Sequence, residues 1–492
     1  MRKLSLVFLL LAYSFDIFPQ FFKNAFYFAE AEVNVGNGNF QPFWLTANKF
    51  GVPSTECNSG YARVALFRPL EGDKDFSYGW GVDLLGAVNN INAFYIQQLY
   101  FSISYKILGL EIGSIERFPE LKNPYLSSGG LTLSNNAHPI PQIRVGIPNY
   151  WSVPYTNNWF HIKGHLAYGL FADNHFQRKF TDHGSVYSTP PIGTYVENAV
   201  YHSKALYGKI GNGKFPISFE GGLEMVARFG GKCHLSDGAS FVAPTRLKDF
   251  FRILIPLKGG GDSPIMDQQN VLGDHLGSWN FSLNYDAKNW DIRLYYEHQF
   301  NDHSMMFMEY PWKDGMWGIE VNLPQNRFVS TLLFERLDSR DQAGAIYHDS
   351  NELIPEQISA VDDYYNHGVY SGWQHGGMGI GNSLFISPAY NTDKKLMYRS
   401  NRLIAHHVGI SGRPFSCLSY RALFSFAQHW GTYIQPFHEV MYNNNFLFEI
   451  KGYLPHKPSW VLTAGVGYDK SQLIGNNWGV NISLRKTGLL AK

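Results

Sequence analysis

The chain has 492 residues, of which 16% are charged and 16% aromatic, with 48 Gly, 30 Tyr and 37 Phe. The charged fraction is below the roughly 25% typical of soluble domains, and a net charge of +1 excludes the strongly basic surface of a nucleic-acid-binding protein. The length suits one large barrel or about two or three soluble domains.

The N-terminus predicts a secretion signal. Arg2 and Lys3 precede an apolar run that extends to Tyr13, which matches the charged and hydrophobic regions of a signal peptide and is too short to cross a membrane as a helix. We assign residues 1–20 to the signal peptide, with cleavage between 14 and 29, and residues 28–488 to a single domain.

From residue 28 onward, many segments alternate apolar and polar side chains, which is the period of a β-strand. The pattern is clearest in residues 278–300, where Trp279, Phe281 and Leu283 alternate with polar residues before a tight connection and a second alternating arm. The chain contains about eighteen such segments. They are residues 28–37, 61–68, 77–87, 93–105, 108–117, 140–147, 158–171, 199–211, 215–229, 278–286, 290–300, 316–323, 327–337, 402–412, 416–428, 445–453, 459–469 and 477–486.

Two environments produce strands with one apolar and one polar face. In a soluble sandwich the apolar face packs into a core, whereas in a transmembrane barrel it faces lipid and the polar face lines a wet lumen. Predicted strand lengths near 9–11 residues and aromatic residues near the strand ends favour the membrane. Because only helices and closed barrels satisfy their backbone in lipid, we predict an all-β fold, a transmembrane antiparallel β-barrel.

The connections between predicted strands alternate in length. The short ones include residues 106–107, 212–214, 287–289 and 413–415, whereas the intervening ones include 38–60, 118–139, 172–198, 230–277 and 338–397. Short periplasmic turns and long extracellular loops are typical of outer-membrane barrels. Together with the signal peptide, this asymmetry predicts the outer membrane of a Gram-negative cell.

One segment breaks the strand pattern. In residues 245–257, Leu247, Phe250, Phe251 and Leu254 follow helical spacing, with charged residues opposite. The pattern predicts one short amphipathic helix in an outer loop. Such a helix packs over loops or a lumen more often than it binds a membrane surface or a partner.

Several segments, taken in order, resemble the capsule-assembly Wzi family of outer-membrane proteins. They are residues 42–45 (PFWL), 131–146 (LTLSNNAHPIPQIRVG), 273–279 (GDHLGSW), 296–308, 314–320 (DGMWGIE), 364–381 (YYNHGVYSGWQHGGMGIG), 401–412 and 477–488. The resemblance covers most of the mature chain. It implies an eighteen-stranded, largely occluded barrel that acts as a lectin-like anchor and not as an enzyme. Better-known members carry a periplasmic helical segment before the barrel, where this sequence predicts a strand directly after the signal peptide.

The outer loops are rich in aromatic, His and amide side chains. Aromatic rings cover the C–H faces of sugars, and carboxylates and amides bind their hydroxyls. We therefore expect a polysaccharide-binding surface, although such rings also pack long loops together. The candidate residues are Asp302, His303, Trp312, Tyr364, Tyr365, His367, Tyr370, Trp373, His375, Asn135, Asn136 and His138.

No catalytic or metal site is predicted. Asp302-His303-Ser304 are adjacent, whereas a hydrolytic triad draws its members from separate elements. The neighbouring acids Asp362 and Asp363 are typical of solvated loop residues. Cys57, Cys233 and Cys417 lie far apart and show no metal-ligand spacing, so at most one disulfide could form and no cofactor is expected.

These observations predict a non-enzymatic outer-membrane protein that binds and anchors capsular or exopolysaccharide at the cell surface. The expected partners are that polysaccharide and outer-membrane lipid, with no nucleic acid, and we expect a monomer. The alternative from another class is a porin-like channel for small solutes or sugars. An outer-membrane hydrolase is a third, weaker hypothesis.

Overall fold

A computed structural model describes residues 22–490 apart from residues 73, 182–193, 236, 265–266, 269–270, 302–312, 325, 327, 349–350, 356–357 and 455–456. The predicted signal peptide, residues 1–20, therefore lies outside the described residues and stays a prediction.

Eighteen strands form the main sheet. They are β1 Phe26–Asn37, β2 Gly60–Arg68, β3 Phe76–Val88, β4 Phe94–Tyr105, β5 Leu108–Ser114, β6 Gln142–Ser152, β7 Phe160–Leu170, β8 Val200–Ile210, β9 Ile217–Phe229, β10 Asp274–Asp286, β11 Asp291–Phe300, β12 Gly315–Asn322, β13 Thr331–Asp338, β14 Leu403–Phe415, β15 Leu418–Gly431, β16 Pro436–Leu454, β17 Lys457–Ser471 and β18 Asn477–Leu489. Every predicted strand overlaps one of these.

The sheet closes on itself. Each strand pairs antiparallel with the next, and β1 pairs with β18 in a continuous register from Phe26↔Leu489 to Asn37↔Trp478. Closure leaves no unpaired strand edge, so every strand satisfies its backbone within the sheet. The prediction of an eighteen-stranded antiparallel barrel is confirmed.

The wall is apolar outside and polar inside. On β18, Val480, Ile482 and Leu484 are 37%, 57% and 41% exposed, whereas the intervening Asn481 and Ser483 are 1% and 3% exposed. A soluble sandwich shows the opposite arrangement, with apolar side chains inside. The alternation thus matches a barrel whose outer surface contacts hydrocarbon.

The two ends of the barrel differ, and we call them the turn end and the loop end. Turn-end connections are short, as at residues 106–107 and 287–290, whereas loop-end connections include residues 38–59, 115–141, 230–273 and 339–402. The predicted strands at residues 416–428 and 445–453 stopped short of each other, but β15 and β16 pair up to Gly431↔Pro436. The extension around Phe437–Val440 has no deeply buried face, so its sequence lacks the alternation that marks a strand.

Helices are few and short. They are α1 Phe43–Thr46, α2 Phe176–Thr181 and α3 Leu247–Leu254, with a 3₁₀ turn at Pro388–Tyr390. The structure places α3 inside the predicted segment 245–257, whereas α1 and α2 are too short to show helical periodicity. No helix in the described part of the chain is long and apolar enough to span a membrane. The three cysteines are free thiols.

Parts of three loop-end connections fold into the lumen and fill its loop-end half. We call residues 38–59, 115–141 and 362–402 the plug. Its buried apolar centre is large, and polar side chains of the wall bind its backbone. Glu335 on β13 accepts a hydrogen bond from Ser128 N at 2.8 Å, and Asp469 on β17 accepts one from Phe43 N at 3.0 Å.

The turn-end half of the lumen holds a cavity of about 830 Å³ beneath the plug. Charged pairs of the wall line it, such as Arg485 with Glu30 and Arg421 with Glu449. The inner face therefore has two regions, one bonded to the plug and one facing a polar cavity.

Candidate functional site

A cleft of about 100 Å³ lies at the loop end, beside the plug. Five loop-end connections and the start of β4 meet there. Its aromatic and charged lining residues are Glu56, Tyr95, His138, Phe176, Phe180 and Lys394, and aliphatic, small and amide residues complete it. Sequence-distant segments thus form one surface, which we call the loop-end cleft.

His138, from the plug, is fixed on three sides. Its ring stacks on Tyr95 at 4.8 Å between centroids and 16° between planes. Gly51 and Gly376, with φ of +68° and +63°, approach the other side, where a Cβ on either would lie 2.8 Å from His138 Cδ2. Only glycine leaves room for the ring and adopts this backbone conformation without strain.

Gln97 on β4 sets the orientation of the His138 ring. Its Nε2 donates to Phe50 O at 3.0 Å and to Glu116 Oε1 at 2.8 Å, so its Oε1 faces His138 Nδ1 at 2.8 Å. An amide oxygen only accepts, and His138 Nδ1 must therefore carry the proton. The other ring nitrogen, Nε2, is left as a hydrogen-bond acceptor.

A β-bulge aims Gln97 inward. The register between β3 and β4 shifts between Asp83↔Gln98 and Leu84↔Ile96, which leaves Gln97 as an extra residue. Gln97 and Gln98 consequently both face the interior, at 1% and 6% exposure. Bulges commonly redirect a side chain in this way.

The ring of His138 is neutral over a wide pH range. Burial lowers its pKa to about 3, and the positive charges that His375 and Arg63 can carry add to this effect. A neutral imidazole with one acceptor nitrogen can bind a hydroxyl donor without the cost of removing a charge from water.

The opposite wall of the cleft comes from α2. The rings of Phe176 and Phe180 stack at 5.3 Å, and Lys394 Nζ lies 5.0 Å above the Phe180 ring. Lys179 on the same helix binds Asn92 Oδ1. Two cations therefore lie beside this pair of buried rings at the loop end.

Most of the predicted binding residues lie inside the plug. Asn136 donates to Gly379 O at 3.1 Å and accepts from Asn48 N at 3.0 Å, and Asn135 donates to Asn48 O at 2.7 Å. Tyr364 and Tyr365 are 0% and 2% exposed. These side chains order the plug backbone and are not accessible to a polymer outside.

The remaining described candidates are also buried or half-buried in the plug. Tyr370 and Trp373 are buried against the guanidinium of Arg228, which lies 5.7 and 4.9 Å from their ring centres. His375 is buried and hydrogen-bonds His138 O through Nδ1 at 2.9 Å. The half-buried His367 accepts from Val369 N at 3.1 Å.

Of the predicted candidates that the structure describes, only His138 lines the loop-end cleft. Asp302, His303 and Trp312 lie outside the described residues. The predicted candidates did not include Tyr95, Gln97, Phe176, Phe180 and Lys394, which lie in three separate segments. The Phe-x-x-x-Phe spacing of α2 was the one local signal for this wall.

Among the described residues, no group of three or more His, Cys, Asp or Glu side chains could hold a metal ion. Asp363 is engaged structurally, because its Oδ1 accepts from Asn366 Nδ2 at 3.2 Å and from Asn401 Nδ2.

Comparisons with known proteins give a fold-level likeness. No family model matches the chain, and no curated protein matches it. Wzi of Escherichia coli, an outer-membrane protein involved in group 1 capsule assembly and a carbohydrate-binding β-barrel, superposes with a TM-score of 0.56 at 11% identity over 95% of this chain and 85% of that one. OccK3 of Pseudomonas aeruginosa superposes with a TM-score of 0.47 at 10% identity, over 96% of this chain and 97% of that one. OprD of the same organism superposes with a TM-score of 0.47 at 6% identity, over 96% of this chain and 97% of that one. The chain is thus similar in fold to a known outer-membrane barrel.

Proposed function

We propose that the protein is a non-enzymatic outer-membrane barrel that binds capsular or exopolysaccharide at the cell surface. The supporting observation is the loop-end cleft, an aromatic surface with a neutral His acceptor, held beside a plug that fills the outer lumen. The fold likeness to Wzi, a carbohydrate-binding barrel of capsule assembly, agrees with this proposal. In this proposal residues 1–20 direct export, the loop end faces outward and the protein acts as a monomer.

The cleft suits a sugar by chemistry. Tyr95 offers a flat ring for the C–H face of a pyranose, and His138 offers an acceptor for a hydroxyl. The buried rings of Phe176 and Phe180 support the facing wall. Lys394 can form charge-assisted bonds with a carboxylate or phosphate on an acidic glycan. The buried predicted residues would then act indirectly, by fixing the plug segment that carries His138.

Titration with purified capsular polysaccharide tests the proposal. Detergent-solubilised protein is immobilised, and binding is measured by biolayer interferometry for Tyr95→Ala and Lys394→Ala. We expect each variant to weaken binding by about tenfold, which corresponds to roughly 1.4 kcal/mol. The matched control is Tyr155→Ala, because Tyr155 is fully exposed at the turn end. Equal affinity of all variants would contradict a role for the cleft.

Deletion of the gene tests the cellular role. Loss of cell-attached polysaccharide with normal secretion into the medium supports an anchor. Unchanged attachment contradicts it.

A second candidate function is a porin-like channel. The observation that favours it is the cavity of about 830 Å³ with charged walls in the turn-end half of the lumen. Planar bilayer recordings separate the two functions, because a channel conducts ions steadily, whereas a barrel whose plug stays in place does not.

A further inference from the structure

Helix α3 packs on the outside of the barrel wall. Ile253 is buried against Ala227 and Phe229 of β9, and the Phe250 ring lies 5.2 Å from that of Phe229. Side chains alternate along a strand, so these β9 residues share the outward face with Phe219, which is 42% exposed nearer the turn end. The helix therefore covers the loop-end part of the outer wall, and not the lumen or the other loops.

Polar groups of the wall fix the helix in this position. On β7, Tyr168 donates its hydroxyl to Phe250 O at 2.7 Å. On β8, Lys204 donates to Leu254 O at the C-terminal end of the helix, where a cation complements the helix dipole. Two residues further along the same outward face, Leu206 is 65% exposed. The helix thus ends where the exposed apolar belt of the barrel begins.

A second apolar face of the helix is exposed, with no described residue covering it. Leu247, Phe251 and Ile255 follow each other at four-residue spacing and are 76%, 60% and 61% exposed. Residues spaced this way lie along one side of a helix. Leu257 and Val242, close by in sequence, are also exposed.

The helix has three faces. At about 100° per residue, Asp249 and Ile253 point to the wall, Leu247 and Phe251 to a second side, and Lys248 and Arg252 to a third. Asp249 is 0% exposed, and its Oδ2 accepts from Arg246 N at 2.9 Å, which caps the helix. This division suits a helix at the corner between a protein wall, hydrocarbon and water.

We propose that α3 is an interfacial helix, which inserts Leu247, Phe251 and Ile255 among the acyl chains of the membrane leaflet at the loop end. The proposal goes beyond polysaccharide binding but depends on the membrane placement given under Proposed function. Its partner is the lipid surface, and not a second protein.

Two observations select lipid as the occupant. The free apolar face is continuous with the exposed belt of the wall at Leu206, which must meet hydrocarbon if the barrel spans a membrane. Residues 246–262 contain four basic and two acidic side chains, a net charge of +2. A basic polar face beside an inserted apolar face matches a leaflet that carries anionic headgroups.

Spin labelling tests the insertion. Single cysteines are introduced as Phe251→Cys, Lys248→Cys and Leu206→Cys into protein that carries Cys57→Ser and Cys417→Ser, because Cys233 is buried. Each nitroxide-labelled protein is reconstituted into vesicles of phosphatidylcholine and phosphatidylglycerol. Electron paramagnetic resonance then measures collision with oxygen, which partitions into lipid, and with a water-soluble nickel chelate.

We expect the label at Phe251 to lose nickel collisions and gain oxygen collisions, as at Leu206, whereas the label at Lys248 keeps its nickel collisions. If Phe251 behaves like Lys248 while Leu206 stays in lipid, the helix is in water and the proposal is wrong although the barrel is in the membrane. If Leu206 is also in water, the membrane placement fails as well. Dipolar broadening at Phe251 between labelled copies would overturn lipid as the occupant in favour of a second chain.

A second experiment tests whether the basic face of α3 contributes to binding the lipid surface. Lys248→Gln together with Arg252→Gln should make the Phe251 label shallower in the anionic vesicles but leave it unchanged in pure phosphatidylcholine. An equal change in both vesicles would contradict recognition of anionic headgroups.

Discussion

Lys122 Nζ lies 3.0 Å from Glu297 Oε2, and each side chain is 1% exposed. Lys122 belongs to the plug and Glu297 to β11, so this ion pair joins the plug to the wall within the lumen. Glu297 also accepts hydrogen bonds from Leu131 N and Ser278 Oγ, both at 2.8 Å. A buried charge is stable only while such partners remain.

Lys122→Met should destabilise the protein strongly. It leaves the Glu297 carboxylate buried without its cation, and we expect the free energy of unfolding to fall by about 3 kcal/mol. Adding Glu297→Gln should restore part of the loss. Urea unfolding followed by Trp fluorescence measures both. The control is Lys74→Met. The exposed Lys74 ammonium pairs with Glu71, and solvent screens such a pair, so its loss should cost much less stability. Equal losses would contradict the structural role.

Glu335→Gln should loosen the plug. Glu335 accepts from Ser128 N at 2.8 Å and from Ser127 Oγ at 2.6 Å, and a glutamine would present an NH₂ donor to at least one of these donors. We expect current steps in planar bilayers that are absent or rarer in the parent protein. The matched control is Glu220→Gln, since Glu220 accepts from the wall residue Tyr150 at 2.7 Å. Identical recordings for both variants would argue against a plug held by Glu335.

Gly376→Ala should displace the ring of His138. Its new Cβ would lie 2.8 Å from His138 Cδ2, whereas a Cβ at Gly213, with φ of +70°, meets nothing within 4 Å. Each substitution should lower the free energy of unfolding by about 1 kcal/mol, because alanine is strained in the backbone conformation that both glycines adopt. The Gly376→Ala protein should lose further stability and also bind polysaccharide more weakly, whereas the Gly213→Ala protein should bind it as the parent does. Matching thermal shifts and affinities would show that the ring tolerates the methyl group.

Acid should destabilise the plug through His138. Its pKa falls from 6.5 to about 3 on folding, so between these values the unfolded chain binds a proton that the folded chain does not. Stability therefore decreases as pH falls through this window, by up to about 1.4 kcal/mol per pH unit. His138→Phe, which keeps a stacked ring without a titrating group, should flatten the slope of unfolding free energy between pH 7 and 4. An unchanged slope would assign the acid sensitivity to other groups.

Local periodicity was enough to predict the strands and their closure into a membrane-type barrel. In β18 each apolar residue from Trp478 to Leu484 faces outward, because side chains alternate along any strand whatever its partners are. The lengths of the connections also predicted which end of the barrel carries the turns, because a hairpin between neighbouring strands needs only a short turn. The signal peptide and the binding roles of Asp302, His303 and Trp312 stay predictions.

The sequence could not show which loop residues would be buried. Tyr364, Trp373 and His375 have the composition of a binding surface, but aromatic rings also fill a lumen, and only the folded plug decides between these uses.

The loop-end cleft depends on contacts that no local pattern contains. Alternation assigns Gln97 to the outward face with Leu99, but a bulge turns it inward to hold His138. Tyr95, His138 and Phe180 come from three separate segments, and their distances are set by how the connections pack. Sequence by itself determined the wall, because strand geometry is local; tertiary structure decided the plug, the cleft and the outer position of α3, because each depends on packing between distant segments.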